Sequence, residues 1–306
     1  MRQVVIGIDV GLSSLKVAAF DRQGRLVGHG QTGYRTERPA ADRVEQEPEQ
    51  WIDGAGRLIR AMIAEGAFAP ERVAGVATSG RGSGAVFVDA EGRVLAPHWL
   101  DGRNAPQHRR LVERFGPECD NRALASKTLH LKEEQPELFA RMRHPLFVKD
   151  FLLYRMTGLV ATDPSSGPRV PDATWPRDVW EWIGVPLERV PVVRPHTEIA
   201  GDLRPDAAAR LGLRPGTPVG IGGHDGACAN AGAGAISPGQ VCLTMGTNGV
   251  ARSIAEEPGP AGTWRGISSY HFLPGRWCRG GDASYAGHAG TWLAGIVRGD
   301  HAELEA

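Results

Sequence analysis

The stretch from Ile6 to Asp21, IGIDVGLSSLKVAAFD, constrains this chain more than any other. Two apolar runs, Val4 to Val10 and Leu15 to Phe20, flank the tight turn Gly11–Leu12–Ser13–Ser14 and read as the strands of a hairpin. The first run carries Asp9 near its end, and a carboxylate buried there is costly unless something compensates it. A turn of small residues can aim several backbone N–H groups at one point, which makes an anion nest. The pattern returns late in the chain: Gln240 to Met245, the turn Gly246–Thr247–Asn248–Gly249, and Val250 to Ile254. We read this as a weak internal repeat whose two turns cradle a polyphosphate across one cleft.

The segments between the two units place this pattern in an α/β chain. Leu26 to Thr32 continues the meander as a third strand. Gln46–Glu47–Pro48–Glu49 then opens a helix whose apolar face is Trp51, Ile52, Leu58, Ile59, Met62 and Ile63, with Gly66 as its stop. Val73 to Thr78 is a fourth strand, and Ala85 to Asp89 with Val94 to Pro97 suggests a further hairpin. Three meandering strands, a helix and another strand do not make the strict alternation of a Rossmann sheet. From Pro106 to about Leu213 the pattern is mostly helical, with a helix over Lys149 to Thr157 closed by Gly158. Pro218 to Ile221 returns to strand, and Gly222–Gly223–His224–Asp225 leads into a helix of small residues, Gly226 to Ala235. Trp264 to Phe272 holds another strand and Tyr285 to Val297 another helix.

Composition narrows the function classes. The 306 residues include 35 basic and 35 acidic side chains, so no long-range attraction favours a nucleic acid. Cys119, Cys228, Cys242 and Cys278 show no metal or disulfide spacing. No apolar run reaches the length of a membrane span, and Asp9 comes too early for a signal-peptide core, so a cytoplasmic protein is expected.

In this setting Asp9 would hold a magnesium ion, usually through water, whose charge offsets the carboxylate's burial. Gly11 and Ser13 lie in the phosphate turn, and Lys16 either supplies a cation beside it or is simply solvated. Asp225, where a strand ends and a helix begins, can accept the proton of a substrate hydroxyl as it attacks phosphorus. Helix capping is the competing role for Asp225 and turn capping for Asp9.

The runs GIDVGLSSLKVAAFD, WLDGR, KDFLLYRMTG, ATD, GGHDGACANAGAGAISPG and MGTNGV resemble the FGGY carbohydrate kinases, in the superfamily of sugar kinases, heat-shock ATPases and actin. The resemblance implies an α/β fold of the actin-like ATPase (ribonuclease H-like) type. It implies a complete N-terminal domain over 1–236 and the beginning of a second, similar domain over 237–306. It further implies ATP and Mg²⁺ as cofactors, with Asp9 and Gly11 in the first phosphate motif. Gly246, Thr247 and Gly249 would form the second motif, and Asp225 would be the catalytic base. Trp99, Asp101 and Arg103 fall where the family lines its sugar pocket, and Arg81 falls in a sugar-contacting loop. His224 joins them as a substrate contact, with a structural histidine as its alternative. Core packing for Trp99 and a surface ion pair for Asp101 and Arg103 are the plainer readings.

Three departures stand out. Leu12 replaces the usual Thr and Arg81 the usual Gln, and the chain ends before the family's later adenosine-binding motif, as a fragment would. The expected activity is phosphorylation of a small sugar or polyol, a ketopentose such as xylulose being the best match, with a homodimer as candidate assembly. A non-catalytic sugar-binding module or sensor is the alternative. A sugar-responsive repressor lacks the basic helix-turn-helix it would need.

Overall fold

A computed structural model describes residues 3–120, 123–167, 173–245, 249–259, 267–283 and 286. Residues alternate between buried and exposed along β1 (Val4–Val10) and β2 (Ser14–Asp21), which pair antiparallel with Asp9 opposite Lys16. β3 (Leu26–Gly33) extends the meander. A hairpin of β4 (Thr36–Ala40) and β5 (Arg43–Gln46) follows, which the sequence pattern does not announce. β4 is fully exposed, so no apolar alternation marks it. Helix α1 (Glu49–Ala64) buries Trp51, Ile52, Ile59 and Met62 on its expected face, and Gly66 beyond its end takes a φ of +78°.

β6 (Val73–Gly80) leads to the short β7 (Val86–Val88) and β8 (His98–Trp99), which pairs with β5. Helices α2 (Ala105–Phe115), α3 (Leu124–Glu134) and α4 (Pro136–Arg141) precede β9 (His144–Leu146). The hairpin expected from Ala85 to Pro97 is reduced to a single bridge between Val88 and Val94, because β7 gives its edge to β9. Helix α5 (Val148–Thr157) ends at Gly158 in the left-handed conformation, as expected. Then come β10 (Ala161–Thr162), α6 (Arg177–Ile183), β11 (Val192–Val193), β12 (Ile199–Asp202), α7 (Pro205–Leu211) and β13 (Pro218–His224).

The main sheet has the order β12-β13-β6-β1-β2-β3, with β1, β6 and β13 parallel. Its core joins Ile6, Ile8 and Val17 of the strands to Ile59 of α1, Phe151 of α5 and Leu211 of α7. A second core gathers Phe87, Trp99, Leu111, Leu129, Phe147 and Trp180 under the helical region.

The residues group into two compact units, Met1–Asp225 and Gly226–Ala306. After α8 (Asp225–Gly232), the second unit forms an antiparallel sheet of β14 (Val241–Met245), β15 (Gly249–Ala255), β16 (Ile267–Leu273) and β17 (Arg276–Ala283), in the order β14-β15-β17-β16. Ile254, Tyr270, Phe272 and Cys278 form its small core with Ala227. Gly246 and Thr247 lie outside the described residues, as does nearly all of the helix expected over Tyr285 to Val297. Among the described residues no helix is long and apolar enough to cross a membrane.

Candidate active site

Parallel strands end together, and the register here brings three of them to one edge. Asp9 of β1 lies beside Ser79 of β6, and Ser79 beside Gly223 of β13. One residue on, Val10, Gly80 and His224 are aligned, so Asp225 follows directly at the same edge. Ligands of open α/β sheets bind outside such carboxyl ends.

A bulge sets the last strand's aim. The register between β6 and β13 shifts between Gly220 and Gly223, and Gly222 takes a φ of +74°. A Cβ at Gly222 would stand 1.9 Å from the Thr78 carbonyl oxygen, so only glycine fits. Gly222→Ala is therefore expected to cost about 2 kcal/mol or more. Urea unfolding would measure this, and an unchanged midpoint would show that the bulge does not require glycine at 222.

Ser79 donates its hydroxyl hydrogen to Asp9 Oδ1 at 3.0 Å. Burial raises the Asp9 pKa above the usual carboxylate value; the Ser79 hydrogen bond partly offsets this, the charge of Asp225 raises it further and Lys16 lowers it. Asp9 and Asp225 therefore lie close enough to feel each other's charge. Lys16 itself is exposed. The turn between β1 and β2 closes through the Gly11 N–H, which donates to the Ser14 carbonyl at 3.1 Å, leaving Leu12 and Ser13 exposed.

Asp225 is the first residue of α8, and its Oδ1 lies 3.2 Å from His224 Nε2. The His224 main-chain N–H donates to Ser165 Oγ at 3.0 Å. Ser165 in turn belongs to a buried polar network. Asp163 accepts the Ser165 and Ser166 hydroxyls and lies 2.9 Å from Lys149 Nζ, which is also 2.6 Å from Asp150. Burial opposes the ionisation of Asp163, but Lys149 and His196 outweigh it and hold its pKa well below the ordinary value. Burial likewise opposes charge on Lys149, yet Asp150 and Asp163 raise its pKa. Composition and spacing do not single out this network; the only signal is that Lys149 and Asp163 stand in two of the runs that resemble the FGGY kinases.

The residues expected at the sugar fare differently. Arg81, just past β6, is 6% exposed, and its Nη1 donates to the carbonyls of Gly11 and Leu12 rather than standing open to a substrate. Trp99 is 2% exposed; Phe87 and His130 pack on its ring and the Arg103 guanidinium lies over it at 5.0 Å. It is a core residue and not an open stacking platform. Asp101 and Arg103 form a two-point pair at 2.6 and 2.7 Å, with Glu45 2.8 Å from Arg103, and neither is on the surface. Burial disfavours the Asp101 charge, but hydrogen bonds from Arg103 and from the Val44 N–H keep its pKa far below the ordinary carboxylate value. These charges are answered by one another. Residues the sequence did not single out, Ser79, Gln46 and Ser165, bond directly to the predicted ones.

The FGGY family of carbohydrate kinases, N-terminal domain, matches residues 4–232. The chain is 32% identical over 268 residues to the xylulose kinase of Bacillus subtilis (strain 168), covering 83% of this chain and 54% of that protein. It is 32% identical over 292 residues to the xylulose kinase of Escherichia coli (strain K12), covering 89% and 58%. A solved xyloylose kinase from Brucella ovis superposes with a TM-score of 0.86 at 27% identity, covering 99% of this chain and 65% of that one. The xylulose kinase structure from Rhodospirillum rubrum gives a TM-score of 0.84 at 23% identity, covering 96% and 64%. The chain thus spans between about half and two thirds of the length of these relatives. The fold is the actin-like α/β type that the sequence implies, and with a family match over most of its length this chain belongs to the FGGY carbohydrate kinases.

Proposed function

We propose that this chain acts in the ATP-dependent phosphorylation of a small sugar or polyol, a ketopentose such as xylulose being the best match. The observation that carries the reading is the meeting of Asp9, the Gly11–Ser14 turn and Asp225 at one carboxyl edge of three parallel strands. The xylulose kinases among its relatives support the substrate class.

In this reading the sugar hydroxyl gives its proton to the Asp225 carboxylate while its oxygen attacks the γ-phosphorus, and ADP leaves. The N–H groups of the first turn hold phosphate oxygens, and Gly246, Thr247 and Gly249 serve as the second phosphate motif. Magnesium fits the donor chemistry: Asp9, with the Asp225 carboxylate nearby, offers a hard oxygen ligand whose raised proton affinity a divalent cation would relieve. When bound, it would neutralise charge on the phosphates. Positioning and electrostatics supply most of the rate in such a transfer. We place the domain boundary at 236/237, His224 beside the sugar, and the enzyme in the cytoplasm with neither nucleic acid nor membrane as partner.

Leu12, exposed where the family pattern has a hydroxyl, favours the second reading, a sugar-binding module without catalysis. Calorimetry with xylulose and ATP–Mg²⁺ separates the two. Binding of each that strengthens the other supports the kinase; sugar binding with no nucleotide binding supports the module.

A further inference from the structure

The Arg81 guanidinium is one of the most deeply buried charges in the first unit, and its partners are carbonyls. Nη1 donates to the Gly11 oxygen at 2.6 Å and to the Leu12 oxygen at 3.1 Å, spending both its hydrogens on one turn. Nη2 donates to Gln46 Oε1 at 3.1 Å. The Gln46 amide then donates to the same Leu12 oxygen at 3.2 Å and to Thr36 Oγ1 at 2.9 Å. Gln46 is 1% exposed, so this second donor is fixed by packing. The main-chain N–H of Arg81 donates to the Val10 carbonyl at 3.2 Å, tying its own backbone to the strand that precedes the turn.

A trans peptide points its C=O and the following N–H in opposite directions. With the Gly11 and Leu12 carbonyls drawn to Arg81, the N–H groups of Leu12 and Ser13 must face the other way. We infer that Arg81, braced by Gln46, is the positioning residue of the first phosphate-binding turn, holding the Leu12 and Ser13 N–H groups outward for a phosphate and placing a positive charge behind them. This rests on the kinase reading above, because it takes the turn to be the phosphate site.

One further observation agrees. Arg81 Nε is buried without an acceptor, a cost that packing alone does not explain. Burial lowers the Arg81 pKa to about 10, partly countered by Tyr34 and Asp225, so the side chain stays charged at neutral pH.

The test compares wild type, Arg81→Met, Arg81→Lys and Gln46→Met by calorimetry with ATP–Mg²⁺ and, separately, with xylulose, after circular dichroism has shown each to be folded. Arg81→Met should lose about tenfold or more in ATP–Mg²⁺ affinity, the size expected for hydrogen bonds from a charged donor. Arg81→Lys, which keeps the charge but not the fork, should fall between it and wild type. Gln46→Met should shift ATP–Mg²⁺ affinity in the same direction by a smaller factor, and it decides the matter if Arg81→Met does not fold. Xylulose affinity should change by less than about threefold throughout. Loss of xylulose binding with ATP–Mg²⁺ binding intact would overturn the inference and return Arg81 to the sugar. Folded variants that bind ATP–Mg²⁺ like wild type would overturn it while leaving the kinase reading standing. A wild type that binds no ATP–Mg²⁺ would sink both.

Discussion

Asp225→Asn is expected to lower kcat for ATP-dependent sugar phosphorylation by about 10²–10⁴-fold, the usual worth of a positioned general base. Sugar affinity should stay within a few fold, because asparagine keeps the shape and one hydrogen-bonding oxygen. The strand register sets Asp225 one residue past the aligned Val10, Gly80 and His224. The Gly222 bulge and the hydrogen bond from the His224 N–H to Ser165 then fix the backbone that carries it. The neighbouring His224 ring lies 3.2 Å from the carboxylate and Asp9 shares its electrostatic environment. Steady-state kinetics with xylulose and ATP measure the effect. A kcat within tenfold of wild type would remove Asp225 from the role of base, and a kcat preserved with a large rise in sugar KM would make it a binding residue instead.

Lys149→Met is the second large effect, and it concerns stability. Lys149 is 1% exposed between Asp150 and Asp163, both fully buried. Removing the cation leaves a buried carboxylate without its counter-charge, which typically costs about 3–5 kcal/mol. The sign with pH follows from the two shifts. Asp163 has a lowered pKa in the folded state, so its contribution is present above the ordinary carboxylate value and is lost as pH falls through the folded one. Lys149 has a raised pKa, so its contribution is present below the ordinary lysine value and is lost as pH rises through the folded one. Across the neutral range both charges stand in the wild type, so the penalty of Lys149→Met should be present there. It should shrink as pH falls, because the variant's buried Asp150 and Asp163, without the cation, take up protons more readily than in the wild type. Asp163→Asn added to Lys149→Met should cost less than the sum of the two single changes, since they remove one interaction. Urea unfolding at several pH values measures all three. A loss below about 1 kcal/mol for Lys149→Met would place the pair among weak surface bridges.

Much of the fold is legible along the sequence because its signals are local. β1 and β2 alternate cleanly, and α1 keeps one apolar face from Trp51 to Met62. Gly66 and Gly158 mark stops that their left-handed backbone explains. The β4–β5 hairpin is hidden because β4 is fully exposed and neither strand carries a period-two apolar pattern. The site is legible in part for the same reason. Asp9 and Gly11 stand out as polar and small residues among strand residues, and Asp225 as an acid at a strand–helix junction. What Arg81 does is not written locally: its carbonyl partners lie 69 and 70 residues away and meet it only through the parallel pairing of β1 with β6. Lys149 and Asp163 look like an ordinary helix start and a loop residue. Only the packing of α5 and the turn after β10 shows that they are closed off from water together.

In the kinase reading, the turn between β1 and β2 grips phosphate through its backbone. The most direct measurement is the amide NMR spectrum of the ¹⁵N-labelled chain during titration with ATP–Mg²⁺. The prediction is that the Leu12 and Ser13 amides show the largest downfield proton shifts, with Asp9 and Ser79 following. Shifts that leave these two amides unmoved while ATP–Mg²⁺ binds elsewhere would contradict it.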